Sequence, residues 1–168
     1  MGISSNILKQ TLMKNLYEKS SSIFCTNFQA MGFSECDVLR ITPSNIVYEY
    51  EIKTSRSDFK ADFKKKYKHS RLSNTINKNN EYIKWSGHPG IPNYFTYVTP
   101  KNMVKISEIP SYAGLIYVDG NEIEVIKKAP KLHSFKATEG LIRTVCNTLS
   151  TRIIYGGGSY IKFLKDKN

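Results

Sequence analysis

The sequence predicts a single α/β domain, and three observations carry that expectation. Apolar residues recur at helical spacing near both ends of the chain, short runs rich in Phe, Val, Ile and Tyr fill the middle, and 168 residues suffice for one hydrophobic core. At 40% apolar, 12% aromatic and 23% charged residues, the composition is that of a folded globule and excludes a wholly disordered chain or a collagen-like repeat. No internal repeat or composition break divides the chain, so residues 1–168 are read as one domain.

Residues 5–20 place Leu8, Leu12 and Leu16 at four-residue intervals and predict a first helix, with Ser4 or Ser5 as its N-cap. Strand-like segments follow at 23–28, 33–41 and 46–53, and the turn Thr42-Pro43-Ser44-Asn45 makes the last two antiparallel neighbours. Ser55 stands three residues before Asp58, the spacing of a capping box, and predicts a helix over 57–69. In that helix Phe59, Phe63 and Tyr67 would form a buried stripe, with Lys60, Lys64 and Lys68 as a cationic stripe beside it; the alternative is a solvated face on which Asp62 pairs with Lys66. Residues 70–93 are polar and Asn-rich, and they close on a Gly- and Pro-containing run, which reads as a loop insertion. Within it Tyr82 and Trp85, interleaved with Lys78 and Lys84, are candidates to stack on bases or to cover a sheet edge. Strand texture returns at 94–99 and again as a hairpin over 115–127 around Asp119-Gly120. A closing helix starts at Thr138, buries Leu141, Val145 and Leu149, and ends before Gly156-Gly157-Gly158.

Lys and Arg number 25 against 14 Asp and Glu, a net charge of +11 that attracts polyanions, nucleic acid first among them. No apolar run approaches the roughly 20 residues of a membrane span, and the first ten residues lack the layout of a secretory signal, so an intracellular, cytoplasmic protein is expected. Cys25, Cys36 and Cys146 fit neither a disulfide framework nor a metal motif, and His69, His88 and His133 are too scattered for a zinc site.

The informative segment runs from Asp37 to Glu51-Ile52-Lys53. On an extended strand Glu51 and Lys53 share a face, and the turn at Pro43 brings Asp37 alongside them. Two carboxylates are enough to hold a hard cation such as Mg²⁺ when a substrate phosphate supplies other oxygens, and a nearby ammonium can stabilise charge on that phosphate. The same triplet also fits a solvated strand face carrying a Glu–Lys pair. The apolar residues Val38, Leu39, Ile41, Ile46 and Val47 around the acids favour the functional arrangement, because a carboxylate inside a core-type strand is costly without a partner.

Several blocks together resemble a known family. Asp37-Val38-Leu39, the strand ending Glu51-Ile52-Lys53 and running on to Phe59, Asn93-Tyr94-Phe95 through Pro100, Tyr112 to Val118, and Lys127-Lys128-Ala129-Pro130 are similar to the PD-(D/E)xK nuclease superfamily, nearest to MmcB-like DNA repair nucleases and their phage relatives. The resemblance implies a restriction-endonuclease-like fold, a mixed β-sheet flanked by helices. It implies Mg²⁺-dependent hydrolysis of DNA, with Mn²⁺ as a substitute, Asp37 and Glu51 as ligands, the Ile52 carbonyl as a further ligand and Lys53 as the catalytic lysine. Cys36 stands where the superfamily's name has proline, and the 70–93 insertion departs from its pattern. A further acid on the first helix would be Glu18, unless it pairs with Lys14; Glu35 and Glu49 share strand faces with Asp37 and Glu51 and are either extra ligands or rim residues.

From 56 to 71 there are seven Lys or Arg against two Asp, which makes Arg56, Lys60, Lys64, Lys68 and Arg71 the candidate phosphate contacts. Two rivals share these features: a nucleic-acid-binding module of the same fold that does not cut, and a junction-resolving nuclease that pairs two sites in a homodimer. The sequence leaves the oligomeric state open.

Overall fold

The computed structural model describes residues 4–73 and 88–155. Tyr82, Trp85 and the Gly156 to Gly158 run lie outside the described residues. The order of elements is α1 (Ser5–Lys19), β1 (Ile23–Phe28), β2 (Cys36–Ile41), β3 (Val47–Ile52), α2 (Arg56–Asp62), α3 (Lys66–Ser73), β4 (Tyr94–Pro100), a 3₁₀ turn (Ile106–Glu108), β5 (Ala113–Asp119), β6 (Glu122–Lys127) and α4 (Glu139–Ile154). The strands form one mixed sheet in sequence order, flanked by the helices. Strands β1, β2 and β3 are an antiparallel meander, β4 and β5 run parallel to β3, and β6 returns antiparallel. The parallel step from β3 to β4 requires a crossover, and α2 and α3 lie within that connection.

Local chemistry sets the element ends. Ser4 Oγ accepts from Ile7 N at the start of α1, Ser55 Oγ from Asp58 N at the start of α2, and Thr138 Oγ1 from Leu141 N at the start of α4. The β2–β3 turn closes through Asn45 N donating to Thr42 O at 2.8 Å, with Asn45 left-handed at φ 62°. Gly120, at φ 58°, allows the tight β5–β6 hairpin, where a side chain would be strained. Buried Asn93 ties distant pieces together: its Oδ1 accepts from Val47 N at 2.8 Å, and its Nδ2 donates to His133 O at 2.9 Å and Phe135 O at 2.8 Å.

The sheet has two differently used faces. On one, Leu8 and Leu12 of α1 pack on Val38, Tyr50, Ile52, Val98, Ile116 and Val118. The other carries two separate apolar clusters. Leu141 and Val145 of α4 cover Leu39, Ile41 and Val47, while Phe59 of α2 and Leu72 of α3 cover Phe95, Tyr97 and Leu115. Cross-strand register puts Leu39, Glu49, Phe95 and Ala113 in one row, and Glu51, Tyr97 and Leu115 in a parallel row. Glu49 and Glu51 thus sit in the seam between two hydrophobic clusters, where a lone charge would be strongly disfavoured.

The helix expected over 57–69 is instead two short helices broken after Asp62. The break has a packing cause. At about 100° per residue, an unbroken helix carrying Phe59 inward would point Lys68 about 180° away and Leu72 about 140° away. Lys64 N donating to Ala61 O and Lys65 N to Asp62 O tighten the chain and reset the rotation, so that Phe59, Asp62, Lys68 and Leu72 all face the sheet. The predicted buried stripe is accordingly corrected: Phe59 is buried, Phe63 is partly exposed and Tyr67 is 66% exposed.

His88 and His133, distant in sequence, meet with ring centroids 5.5 Å apart, and His88 also stacks on Phe33 at 5.5 Å. Burial, and secondarily His133, push the His88 pKa down to about 4. An unfolded His88 takes up its proton near 6.5, so between pH 6.5 and 4 the unfolded state binds more protons and stability falls as pH falls. The folded protein is expected to lose as much as about 3 kcal/mol across that window on account of His88. His88→Gln should flatten that part of the curve in denaturant titrations at stepped pH; an unaltered slope would refute the assignment.

Candidate functional site

The ends of β2 and β3 open onto a cleft of about 280 Å³ whose lining includes Ser5, Asp37, Glu51, Ile52, Lys53 and Lys65. Each of the three core candidates reaches it. Asp37 lies at the start of β2, where its Oδ2 accepts from Ile52 N at 2.9 Å and its Oδ1 pairs with Lys9 Nζ of α1 at 2.9 Å. Glu51 is 3% exposed, and Lys53, two residues on, places Nζ 3.0 Å from Glu51 Oε1. The strand alternation that puts Glu51 and Lys53 together sends the Ile52 side chain into the α1 face.

Lysines surround these acids. Glu51 Oε1 also receives Lys65 Nζ at 3.1 Å, and Glu51 Oε2 receives Lys68 Nζ at 2.7 Å. Asp62, whose side chain is fully buried, holds both Lys53 and Lys65 at 3.0 Å through Oδ1 and accepts from Tyr97 Oη at 2.9 Å through Oδ2. His69 extends this network outward: Nε2 is 3.2 Å from Asp62 Oδ2, and Nδ1 is 2.7 Å from Tyr112 Oη. Glu49 Oε1 lies 2.6 Å from Lys68 Nζ in a buried ion pair. Three ammonium groups, Lys53, Lys65 and Lys68, therefore neutralise three carboxylates, Glu49, Glu51 and Asp62.

The charge states follow from this pairing. Burial works against an ammonium at Lys53, yet Glu51 and Asp62 outweigh it and hold its pKa above the ordinary lysine value. Lys68 is raised further, as Glu49 and Glu51 together overcome its burial. Burial opposes the Asp62 carboxylate too, but Lys53 and Lys65 prevail and keep it well below the usual range. Glu49 goes the other way: burial raises its pKa, and Lys68 offsets only part of the rise. Lys53 is consequently a cation that stabilises negative charge, not a base poised to take a proton.

The remaining candidates divide. Glu18 is exposed on α1, thirteen residues and so about 20 Å of helix beyond Ser5 at the cleft. It is too far to join Asp37 and Glu51, and the α1 side chain that reaches Asp37 is Lys9. Lys68 does not lie on an outward stripe: it is 6% exposed and committed to Glu49 and Glu51, because the helix break turns it inward. Arg71 donates to Gly32 O at 2.7 Å and Pro89 O at 2.6 Å, a structural clasp. Arg56 forks onto Glu108 and donates to Met103 O at 2.8 Å, fastening α2 to the 3₁₀ turn. Lys60 and Lys64 are exposed, Glu35 lines the cleft from its rim, and Glu49 is buried beneath Lys68.

Sequence reasoning missed Lys9, Asp62 and Lys65. A local signal existed for two of them: Lys9 stands three residues before Leu12, and Asp62 three after Phe59, both on inward helix faces. Lys65 carried no such signal, since its position depends on the turn between α2 and α3. Among the described residues no three His, Cys, Asp or Glu side chains gather into a metal-holding group, and no helix is long and apolar enough to cross a membrane.

No family model matches the chain, and no curated protein matches it. Among solved structures it is similar to a protein of unknown function from Silicibacter pomeroyi, at 18% identity and a TM-score of 0.59, over 92% of this chain and 89% of that one. At that identity the likeness concerns the fold alone.

Proposed function

We propose that the protein is a metal-dependent nuclease of the PD-(D/E)xK type that hydrolyses DNA phosphodiester bonds at the cleft onto which the ends of β2 and β3 open. The observation that carries this reading is the meeting of Asp37, Glu51 and Lys53 at one cleft in a strongly basic protein. The order of one helix, three antiparallel strands, helical crossover and parallel fourth strand also suits the restriction-endonuclease-like arrangement implied by the sequence resemblance.

The donor set fits a hard cation. Asp37, Glu51 and the Ile52 carbonyl offer only oxygen, and Mg²⁺ takes one or two protein carboxylates while retaining water and substrate oxygens. Lys65, with its side chain half exposed, is the ammonium on Glu51 most readily displaced, whereas Lys53 and Lys68 are enclosed. Bound here, Mg²⁺ or Mn²⁺ would polarise the phosphoryl group and acidify an attacking water. Lys53, fixed by Glu51 and Asp62, presents its charge to the phosphate oxygens as negative charge builds on them. Tyr97 donates to Asp62 from beneath, which limits the orientations Lys53 can adopt.

Mn²⁺ titration of the purified chain should give saturable thermal stabilisation, of the order expected when a ligand binds only the folded state. Mg²⁺ should permit cleavage of at least one among single-stranded, duplex, flap and four-way DNA substrates, and EDTA should stop it. Cleavage that persists in EDTA, or no saturable Mn²⁺ effect and no cleavage of any substrate, would overturn the proposal.

A further inference from the structure

The geometry points to a track for single-stranded nucleic acid beside the cleft, with Tyr67 as the platform on which an unpaired base stacks. The purpose of such a track rests on the nuclease reading above, but its chemistry rests on different residues. A groove of about 550 Å³ is lined by Ser34, Glu35, Lys64, Lys65, Lys66 and Tyr67, with buried Lys68 behind them. It shares Glu35 and Lys65 with the cleft that holds Asp37 and Glu51, so the two openings adjoin.

Cations and an aromatic face occur together there. The turn between α2 and α3 sets Lys64, Lys65 and Lys66 in succession at the groove, and all three are exposed. Consecutive lysines on a surface attract phosphates without reading sequence. Tyr67 follows them directly and is 66% exposed. Arg71, one helical turn later, sits 5.6 Å from the Tyr67 ring centroid and is itself clasped by Gly32 O and Pro89 O. The ring is thus braced from one side, with much of its surface open to solvent. Phe63, 37% exposed, adds a second apolar surface on the same segment.

A duplex keeps its bases stacked inside and would offer this groove phosphates alone. An unpaired strand offers phosphates to the lysines and a base face to Tyr67, and aromatic stacking is indifferent to which base is presented. The coexistence of both surfaces in one groove is what selects the single strand.

The test is fluorescence anisotropy of the full chain in EDTA, with a labelled DNA single strand and the duplex of the same sequence. Tyr67→Ala should weaken single-strand binding about tenfold, change duplex binding less than about twofold, and leave the melting temperature in place. Tyr67→Phe, which keeps the ring, should restore single-strand affinity. Lys64→Gln combined with Lys66→Gln should weaken both probes and flatten the salt dependence. The proposal is overturned if Tyr67→Ala leaves single-strand affinity unchanged, or lowers both affinities equally. Metal is absent and Glu51 untouched throughout, so failure of this track and failure of the nuclease reading register in separate experiments.

Discussion

Glu51→Gln is expected to lower Mg²⁺-dependent cleavage by at least about 10³-fold while the domain stays folded and still binds nucleic acid. The amide preserves the shape of the side chain but removes the negative charge that would hold the cation. Folding should survive because none of the three ammonium groups is stranded. Lys53 and Lys65 keep Asp62 at 3.0 Å, and Lys68 keeps Glu49 at 2.6 Å. Affinity for nucleic acid in EDTA should stay level or rise, since a negative charge leaves the proposed phosphate site. Lys53→Met separates the two roles: cleavage should fall about 10²- to 10³-fold while Mn²⁺ binding is retained or strengthened. Single-turnover cleavage and Mn²⁺ calorimetry on both variants read these outcomes. A Glu51→Gln protein that cuts at the native rate would remove the basis for a metal-dependent mechanism at this cleft.

Lys68→Met is expected to produce the largest loss of stability, about 3–5 kcal/mol, because it leaves a buried carboxylate without its counter-charge. The group left without a counter-charge is Glu49 and not Glu51. Glu51 still has Lys53 at 3.0 Å and Lys65 at 3.1 Å, whereas Lys68 is the one ammonium given to Glu49 among the described residues. Adding Glu49→Gln to Lys68→Met should therefore recover more than about 1 kcal/mol, a coupling that a double-mutant cycle in urea or guanidinium measures directly. A single variant within about 1 kcal/mol of the native protein would show that the buried network contributes little to folding.

Much of the fold was legible from local pattern. Leu8, Leu12 and Leu16 announced α1, the Thr42 to Asn45 turn announced the β2–β3 pairing, Ser55 announced the start of α2, and Asp119-Gly120 announced the β5–β6 hairpin. In the site, strand alternation sufficed to place Glu51 and Lys53 on one face, and the Pro43 turn to bring Asp37 beside them. Each of these signals acts over a few residues, through helical or strand periodicity or through the chemistry of a cap or turn.

What lay beyond reach involved partners far apart in sequence. The run from Ser57 to His69 has unbroken helical periodicity, and nothing local in it marks a stop at Asp62. The stop exists because Asp62 is drawn onto Lys53 and Tyr97 while Lys68 is drawn onto Glu49 and Glu51, and one straight helix could not point both inward. For the same reason an apparent row of surface lysines resolves into three different things: Lys60 in solvent, Lys64 at a groove, and Lys68 in the core.

By itself, then, the sequence determined the α/β class, the antiparallel meander, and the proximity of two acids and a lysine. Tertiary structure decided the parallel arrangement of β3, β4 and β5, the replacement of Glu18 by Lys9 at the first helix, and the enclosure of Lys68 and Asp62. The physical reason is desolvation: a charge can be buried only where opposite charge already waits, and which residues supply it depends on how remote segments pack.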